Sequence, residues 1–331
     1  MRVATFDRYG PPEVVKIVNR PDPTPGRGQI RVRVVATTVT SGEARIRGWN
    51  IPSPLFSIPA RLMMGVTRPR RRVLGVECAG VVDAVGEGAT RFKVGDEVIA
   101  CPEFKGGAHA ELLLIDEHAC VVPKPPGVSF DEAAGVSFGG FTALYFLEDR
   151  ARVRPGQRVL IYGASGSVGL AGVQVAKALG AHVTGVCSGE NMELVRSVGA
   201  DEVIDYTMHD VTGLGETYDV IFDTVGKTSF RRCRPILRAG GRFVAAVMRA
   251  REVAQMAYTP LVGRGRVIGG VAVASQEKLE RLAGMLEAGT MRTVIDSTYP
   301  LEGIVEAYRR VETGHKRGSV VIRVSEADGG R

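Results

Sequence analysis

A short turn containing two glycines joins an apolar strand to a helix in the run VLIYGASGSVGLAGVQVAKALGA. The residues of this turn are Ala164, Ser165, Gly166, Ser167, Val168 and Gly169. Their spacing is that of G-x-G-x-x-G with alanine first, and unpaired N–H groups at a helix N-terminus attract anions, so the pattern predicts a pyrophosphate site. Gly166 would let the backbone approach the phosphates, and Gly169 would let the helix pack on the strand. Ala164 can replace the turn glycine if its φ stays negative.

The residues at the end of the next strand indicate whether such a site accepts NAD(H), which has a ribose 2′-hydroxyl, or NADP(H), which has a 2′-phosphate. Many NAD-binding folds place an acidic residue there to bind the 2′-hydroxyl, whereas here HVTGV leads into Cys187, Ser188 and Gly189. Small neutral side chains leave room for a 2′-phosphate, to which the Ser188 hydroxyl can donate. Ser188 and Asn191 are therefore candidate ligands, and the pattern favours NADP(H). Glu190 favours NADH if its side chain turns inward, so NADH stays open as the alternative.

The elements around this turn change character along the chain. Short Val-rich runs joined by Gly and Pro precede it, which predicts antiparallel strands. From RVLIYG onward, strands alternate with helices, which predicts a parallel, doubly wound sheet. The mixed pattern then returns up to the closing strand SVVIRV. We therefore expect an α/β protein of two domains, as a length of 331 residues also suggests.

Composition excludes several classes of protein. Hydrophobic residues make up 44% and charged residues 24% of the chain, and no run approaches the roughly 18 apolar residues of a membrane span. The start lacks the apolar segment of a signal peptide, so we expect a cytoplasmic protein. The five cysteines form no C-x-x-C pair, which argues against a disulfide framework. The net charge of +7 lies in short basic clusters without aromatic residues, so no nucleic-acid partner is expected.

Several motifs together resemble one family. They are LGVECAGVVDAVGEGATRFKVGDEV, GGAHAEL, FTALYFL, GASGSVG, DTVG and EAYRRVETGHKRGSVVI. Over nearly its whole length the chain resembles the medium-chain dehydrogenase/reductase superfamily, in the zinc-free quinone oxidoreductase (zeta-crystallin-like) branch. Alanine at the first position of the glycine turn is characteristic of that branch.

The resemblance implies a specific arrangement of domains. A GroES-like, mostly-β domain would comprise residues 1–123 and 264–331, with a Rossmann dinucleotide-binding domain of residues 124–263 inserted between them. The resemblance also implies a homodimer joined at the edge of the Rossmann sheet. Residues 265–273 would form that edge strand, although an ordinary covered strand fits this segment equally well.

The resemblance assigns candidate residues to the acceptor pocket. Thr40 and Glu43 stand where relatives carry Asn and Asp, and Glu43 is expected to organise the domain rather than to transfer protons. Trp49, the only tryptophan, would line the acceptor site or serve in packing. Thr142 would lie near the nicotinamide ribose. No residue is identified as a proton donor.

Two further residues are assigned to the cofactor by resemblance. Tyr206, in VIDYT, resembles the tyrosine that flanks the adenosine 2′-phosphate. Val225, in DTVG, belongs to the loop near the nicotinamide. Ser319 stands where many relatives have Lys, and Lys316 and Arg317 are candidates to supply that charge instead.

Three positions bear on zinc. Where zinc-dependent relatives carry a Cys, a His and a second Cys, this chain has Thr40, Val76 and Phe138. None of these side chains can ligate Zn²⁺ as thiolate or imidazole does. The four-cysteine structural lobe of those relatives is also replaced by a short loop. We therefore expect no bound zinc.

Without a Lewis acid, simple alcohols lack a group to stabilise their alkoxide. Quinones and enones accept hydride at carbon and place the charge on a conjugated oxygen, so they need mainly positioning against a nicotinamide. The sequence therefore predicts an NADPH-dependent oxidoreductase acting on a small electron-poor acceptor. The alternatives are a nucleotide-binding redox sensor or scaffold without turnover and, less favoured, a zinc-dependent alcohol dehydrogenase.

Overall fold

The computed structural model describes residues 1–51, 54–262 and 265–326. The strands are β1 (Arg2–Phe6), β2 (Val15–Asn19), β3 (Gln29–Val39), β4 (Cys78–Val85), β5 (Glu97–Ala100), β6 (Leu112–Asp116), β7 (Val121–Pro123), β8 (Arg158–Tyr162), β9 (His182–Cys187), β10 (Glu202–Asp205), β11 (Tyr218–Asp223), β12 (Leu237–Ala245), β13 (Arg266–Ile268), β14 (Ile295–Pro300) and β15 (Ser319–Arg323). The helices are α1 (Ser41–Gly48), α2 (Pro54–Met64), α3 (Phe130–Ala134), α4 (Ser137–Ala143), α5 (Ser167–Ala178), α6 (Met192–Ser197), α7 (Phe230–Cys233), α8 (Ala250–Val262), α9 (Gln276–Glu287) and α10 (Ile304–Glu312).

These elements form two compact units. The first contains Met1–Ile51, Ser57–Phe138 and the chain from Ala274 onward, and the second is built on Gly139–Val273. The domain boundaries expected at 123/124 and 263/264 stay predictions, and residues 263 and 264 lie outside the described part of the chain. No helix in the described residues is long and apolar enough to cross a membrane.

The first unit is built on a seven-stranded sheet. Its strand order is β14-β15-β3-β4-β5-β7, with β6 also paired to β3 and with β1 and β2 forming a separate antiparallel pair. Only the β14–β15 pair of this sheet is parallel. Along β3, Ile30, Val32 and Val34 are fully buried, as the two-residue period of a strand requires, and they share one core cluster with Tyr308 of α10.

The second unit contains a parallel six-stranded sheet of order β10-β9-β8-β11-β12-β13. Val159, Leu160 and Ile161 of β8 are all fully buried. Because consecutive strand residues point to opposite faces, both faces of this sheet are covered, as in other parallel sheets. The strand order reverses between β8 and β11, the kind of point beside which open α/β sheets bind ligands. The expected fold class is therefore confirmed.

Candidate functional site

The glycine turn follows β8 and leads directly into α5. A Cβ added to Gly169 would lie 2.1 Å from the carbonyl oxygen of Gly163, so only glycine permits the approach of α5 to the strand end. The φ angle of Ala164 is not positive. The left-handed conformation falls one residue earlier, at Gly163, whose φ is +73°. The spacing of the motif did not indicate this role of Gly163, although the residue directly precedes the motif.

Gly166 differs from Gly163 and Gly169 because neither its backbone conformation nor its surroundings require glycine. Its φ is −79° and ψ is 168°, an extended conformation that any residue can adopt, and it is the N-cap of α5. A Cβ there would meet nothing closer than the Gly163 carbonyl oxygen, at 3.6 Å. The first N–H groups of a helix have no intrahelical acceptor. The turn therefore leaves open space at a helix N-terminus, which fits the pyrophosphate of a dinucleotide.

Ser188 and Asn191 lie together at the end of β9. The side-chain amide of Asn191 donates to Ser188 Oγ at 2.8 Å. Asn191 is buried, and its Oδ1 has no hydrogen-bond partner among the described residues. Because Ser188 Oγ accepts this bond, its own proton can be given to another acceptor, such as a phosphate oxygen. Glu190 lies between them in a short 3₁₀ turn and is exposed.

An acidic residue that sequence analysis did not consider lies at the same place. Asp205 ends β10 and is paired in register with Cys187 of β9. Hydrogen bonds from the hydroxyl of Thr207, at 2.7 Å, and from its N–H, at 2.8 Å, lower the pKa of Asp205, and the N–H of Gly189 adds a further bond. The carboxylate is therefore ionised. The signal in the sequence was the acidic end of the second strand after the turn.

Tyr206 completes this group of residues at the ends of β9 and β10. Its N–H donates to the carbonyl of Cys187 at 3.1 Å, while its side chain is 56% exposed. The tyrosine side chain is therefore on the surface, at the residue that directly follows Asp205.

The loop after β11 is held beside the glycine turn. Thr224 Oγ1 donates to the carbonyl of Tyr162, the last residue of β8, at 2.7 Å. The buried carboxylate of Asp223 accepts the N–H groups of Val225, at 3.1 Å, and Gly226, at 2.8 Å. Burial raises the pKa of Asp223. The structure thus fixes the backbone of this loop while leaving the side chain of Val225 exposed.

Thr40 and Glu43 form a capping box at the start of α1. Glu43 Oε2 accepts the N–H and the hydroxyl of Thr40, each at 2.8 Å, and the Glu43 N–H donates back to Thr40 Oγ1 at 3.2 Å. Glu43 Oε1 accepts the N–H of Gly75 at 2.6 Å. Both side chains are buried. Both oxygens therefore hold backbone groups in place, and a role for Glu43 in organising the domain stays a prediction.

Trp49 and Thr142 lie on other parts of the chain, Trp49 at the end of α1 and Thr142 in α4. Trp49 ends α1 in a left-handed conformation with φ of 53°, its Nε1 donates to Ser57 Oγ at 3.1 Å, and its ring packs 4.8 Å from that of Tyr9. These are packing contacts, and a role for Trp49 in lining the acceptor site stays a prediction. Thr142 is half-buried in α4 and belongs to the second unit, whereas Thr40 and Glu43 belong to the first.

The three positions that the resemblance matches to zinc ligands carry no thiolate or imidazole. Thr40 and Phe138 come close together, since a Cβ on Gly42 would lie 3.7 Å from Thr40 Oγ1 and 3.3 Å from the Phe138 ring. Val76 is an aliphatic side chain. Within the described ranges, no three His, Cys, Asp or Glu side chains are grouped as metal ligands would be. A hydroxyl, an aliphatic group and a ring do not fit a zinc site.

A buried carboxylate adjoins this region. Glu77 accepts the N–H of Phe138 through Oε2 at 2.6 Å and bonds the Thr38 hydroxyl through Oε1. Burial raises the pKa of Glu77 to about 7, and nearby Glu43 also raises it, against the lowering effects of the two hydrogen bonds and of Lys316. Glu77 therefore changes charge near neutral pH, which its sequence context did not indicate.

Comparison with known proteins identifies the family. The chain matches the family models described as alcohol dehydrogenase GroES-like domain, over residues 26–151, and zinc-binding dehydrogenase, over residues 198–322. It is 30% identical to the chloroplastic quinone-oxidoreductase QR1 of Triphysaria versicolor, with 97% of this chain and 98% of the relative covered.

Solved structures of quinone oxidoreductases share the fold of this chain. The quinone oxidoreductase of Coxiella burnetii has a TM-score of 0.85 at 26% identity, covering 98% of this chain and 99% of its own. The Escherichia coli quinone oxidoreductase complexed with NADPH has a TM-score of 0.82 at 24% identity, over 98% and 100% of the two chains, which shows the shared fold alone. The chain belongs to the medium-chain dehydrogenase/reductase superfamily, in its quinone oxidoreductase branch, and is an oxidoreductase. The expected family is therefore confirmed.

Proposed function

We propose that this enzyme uses NADPH, without zinc, to reduce a small electron-poor acceptor, either a quinone or an α,β-unsaturated carbonyl. The observation that carries the proposal is the open cradle at Gly166, the N-cap of α5, where an added Cβ would meet nothing closer than the Gly163 carbonyl oxygen at 3.6 Å. A dinucleotide pyrophosphate is the anion that best matches a cradle at this point of a parallel sheet.

Each group of site residues then has a role in holding the cofactor. The turn from Ala164 to Gly169 binds the pyrophosphate, Ser188 and Tyr206 hold the adenosine end, and the loop of Val225 lies toward the nicotinamide. The bound cofactor supplies a hydride. An acceptor that delocalises the incoming charge onto its own conjugated oxygen needs no metal. This agrees with the side chains of Thr40 and Phe138, neither of which is a thiolate or an imidazole.

Preference for NADPH over NADH rests on Ser188, the neutral residue at the end of β9. Its hydroxyl can donate to a 2′-phosphate, and a charge-assisted bond of this kind contributes roughly 1.5–3 kcal/mol. Asp205 and Glu190 oppose a phosphate by like charge. Because the Asp205 carboxylate is already bonded to Thr207 and Gly189, we infer that it weakens NADPH binding without abolishing it.

Assembly and location are also proposals. β13 lies at one edge of the six-stranded sheet, with β12 as its partner there, and we propose that this edge joins two copies into a homodimer. We place the enzyme in the cytoplasm. A sedimentation measurement on the purified protein tests the first statement, and imaging of a tagged chain in its native cell tests the second.

The test of the reaction is steady-state NADPH oxidation with 9,10-phenanthrenequinone, 1,4-benzoquinone and an enone, with ethanol plus NADP⁺ as control. We expect turnover of the conjugated acceptors and none of ethanol. Activity confined to ethanol would refute the mechanism, and tight NADPH binding without turnover of any acceptor would refute the proposed acceptor class. Ser188→Asp should weaken NADPH binding more than NADH binding. If the unchanged protein binds NADH more tightly, the cofactor assignment is wrong.

A further inference from the structure

Helix α2 carries a row of exposed apolar side chains. Ile58, Leu62 and Met63 lie on the helix and are 66%, 62% and 61% exposed, and Val66, two residues beyond the helix end at Met64, is 55% exposed. We call these four residues the α2 apolar row. Soluble proteins seldom leave several large apolar side chains exposed on a single helix face, and such a face commonly marks an interaction surface.

Contacts on the inner side of α2 hold this row outward. The guanidinium of Arg61 lies over the rings of Tyr9 and Trp49, at 4.3 and 4.4 Å, and its Nε donates to the Val66 carbonyl at 2.6 Å. Trp49 also bonds Ser57 in the first half of the helix. Since Arg61 and Ser57 are engaged with the first unit, the apolar row is the face that the helix presents to solvent.

A cluster of arginines adjoins the row. The side chains of Arg68, Arg70, Arg71 and Arg72 are exposed. Arg70 is placed next to the row because its N–H donates to the Met64 carbonyl at 2.8 Å and its Nη1 to the Met63 carbonyl at 3.4 Å. Arg72 pairs with Asp7 at 3.1 Å. No Asp or Glu occurs in the sequence between Glu43 and Glu77, and Asp7 is the acidic partner that an ion pair brings to these arginines, so the cluster carries a net positive charge.

We propose that the α2 apolar row and the arginines of residues 68–72 dock on an anionic phospholipid surface. Apolar residues on one face of a surface helix, beside a group of arginines, match the boundary between acyl chains and negatively charged headgroups. A second copy of the chain fits less well, because an isologous contact through this face would bring the arginines of both copies together. The inference does not depend on which acceptor the enzyme reduces.

Vesicle co-sedimentation tests the proposal. The full-length protein is mixed with vesicles of phosphatidylcholine alone, or of phosphatidylcholine with phosphatidylglycerol at a ratio of about 7 to 3, at low and at high salt. The test variants are Ile58→Ser/Leu62→Ser and Arg68→Gln/Arg70→Gln. The matched controls are Met208→Ser/Leu261→Ser, which removes two exposed apolar side chains elsewhere, and Arg231→Gln/Arg234→Gln, which removes two exposed arginines elsewhere.

We expect binding to the anionic vesicles only, with loss at high salt. Each arginine removed from the docking surface should weaken partitioning about fivefold, and the serine variant should abolish it, while both controls bind normally. Circular dichroism and NADPH binding verify that each variant is folded. Absence of vesicle binding, equal binding to neutral vesicles, or equal losses in the controls would overturn the proposal. So would a dimer in sedimentation equilibrium that Ile58→Ser/Leu62→Ser dissociates, because the row would then be an interface between copies.

Discussion

The carboxylate of Asp205 accepts the backbone N–H of Gly189, and so a negative charge lies where β9 and β10 end. A Cβ on Gly189 would lie 2.6 Å from Asp205 Oδ2, which shows how closely the two strand ends approach. Ser188 directly precedes Gly189, so the proposed 2′-phosphate donor and this carboxylate are neighbours. By their chemistry, the two residues would have opposite effects on a 2′-phosphate bound there as we propose.

Replacing Asp205 should therefore change cofactor preference. Asp205→Asn removes the charge and keeps one acceptor oxygen for Thr207 or Gly189. We expect NADPH to bind several-fold more tightly, with NADH affected much less, as measured by titration of nucleotide fluorescence. Because exposed charges are screened by salt, the gain should shrink at high ionic strength.

Asp210→Asn is the matched control for this change. Asp210 accepts the N–H and hydroxyl of Thr212 at 3.0 and 2.8 Å, the same local arrangement as Asp205 with Thr207. If both substitutions shift cofactor binding equally, or neither does, Asp205 does not face the cofactor.

Alanine at Gly166 and alanine at Gly169 should have different consequences for stability. Gly169→Ala places a Cβ 2.1 Å from the Gly163 carbonyl and should destabilise the fold by about 3 kcal/mol, the upper end for overpacking, lowering the melting temperature on the order of 10 °C. Gly166→Ala meets nothing closer than 3.6 Å and should leave the melting temperature unchanged or slightly raised.

Nucleotide binding distinguishes the two glycines further. Gly166→Ala places a methyl group in the cradle, so the folded variant should lose NADPH affinity by at least about tenfold, equivalent to ~1.4 kcal/mol. Calorimetric titration measures this. Undiminished NADPH binding by Gly166→Ala would show that the cradle does not hold the pyrophosphate.

The free energy of unfolding should decrease as the pH rises through the titration of Glu77. The folded-state pKa of about 7 lies above the 4.5 of an exposed glutamate, so the folded protein binds a proton that the unfolded chain has released. The stabilisation is complete below pH 4.5 and is lost as the pH rises to about 7. At ~1.4 kcal/mol per pKa unit, the loss is about 3 kcal/mol. Denaturant unfolding between pH 4.5 and 8 measures it.

Glu77→Gln isolates this contribution. Glutamine resembles the protonated acid, accepting from the Phe138 N–H and donating to the Thr38 hydroxyl. The variant should match the unchanged protein near pH 4.5 and exceed its stability at pH 8. Glu287→Gln, an exposed carboxylate, is the control. Parallel pH profiles for the protein and Glu77→Gln would show that Glu77 does not titrate in this range.

Chelation should leave quinone reduction unchanged. The positions of the zinc ligands hold Thr40, Val76 and Phe138, which offer zinc no thiolate or imidazole. We expect equal rates before and after dialysis against a strong chelator, and substoichiometric zinc by elemental analysis of protein purified without added metal. Loss of activity that added zinc restores would contradict the proposal.

Local features of this protein could be predicted from the sequence because they depend on residues close together in the chain. The turn from Ala164 to Gly169 and the alternation of strands and helices around it are set by backbone conformation and short-range periodicity. The absence of zinc-ligating side chains at Thr40, Val76 and Phe138 is a matter of residue type. Helix α2 was not predicted from the sequence.

Long-range features were decided by tertiary structure. Asp205 lies 16 positions after Gly189, and only the parallel pairing of β9 with β10 brings its charge to the end of β9. Glu77 titrates near pH 7 because the fold removes its carboxylate from water and leaves it two hydrogen-bond donors. Burial and the approach of distant charges set pKa values and ligand preference. The sequence by itself determined which backbone could hold a phosphate, and the packing of separate strands decided what charges surround it.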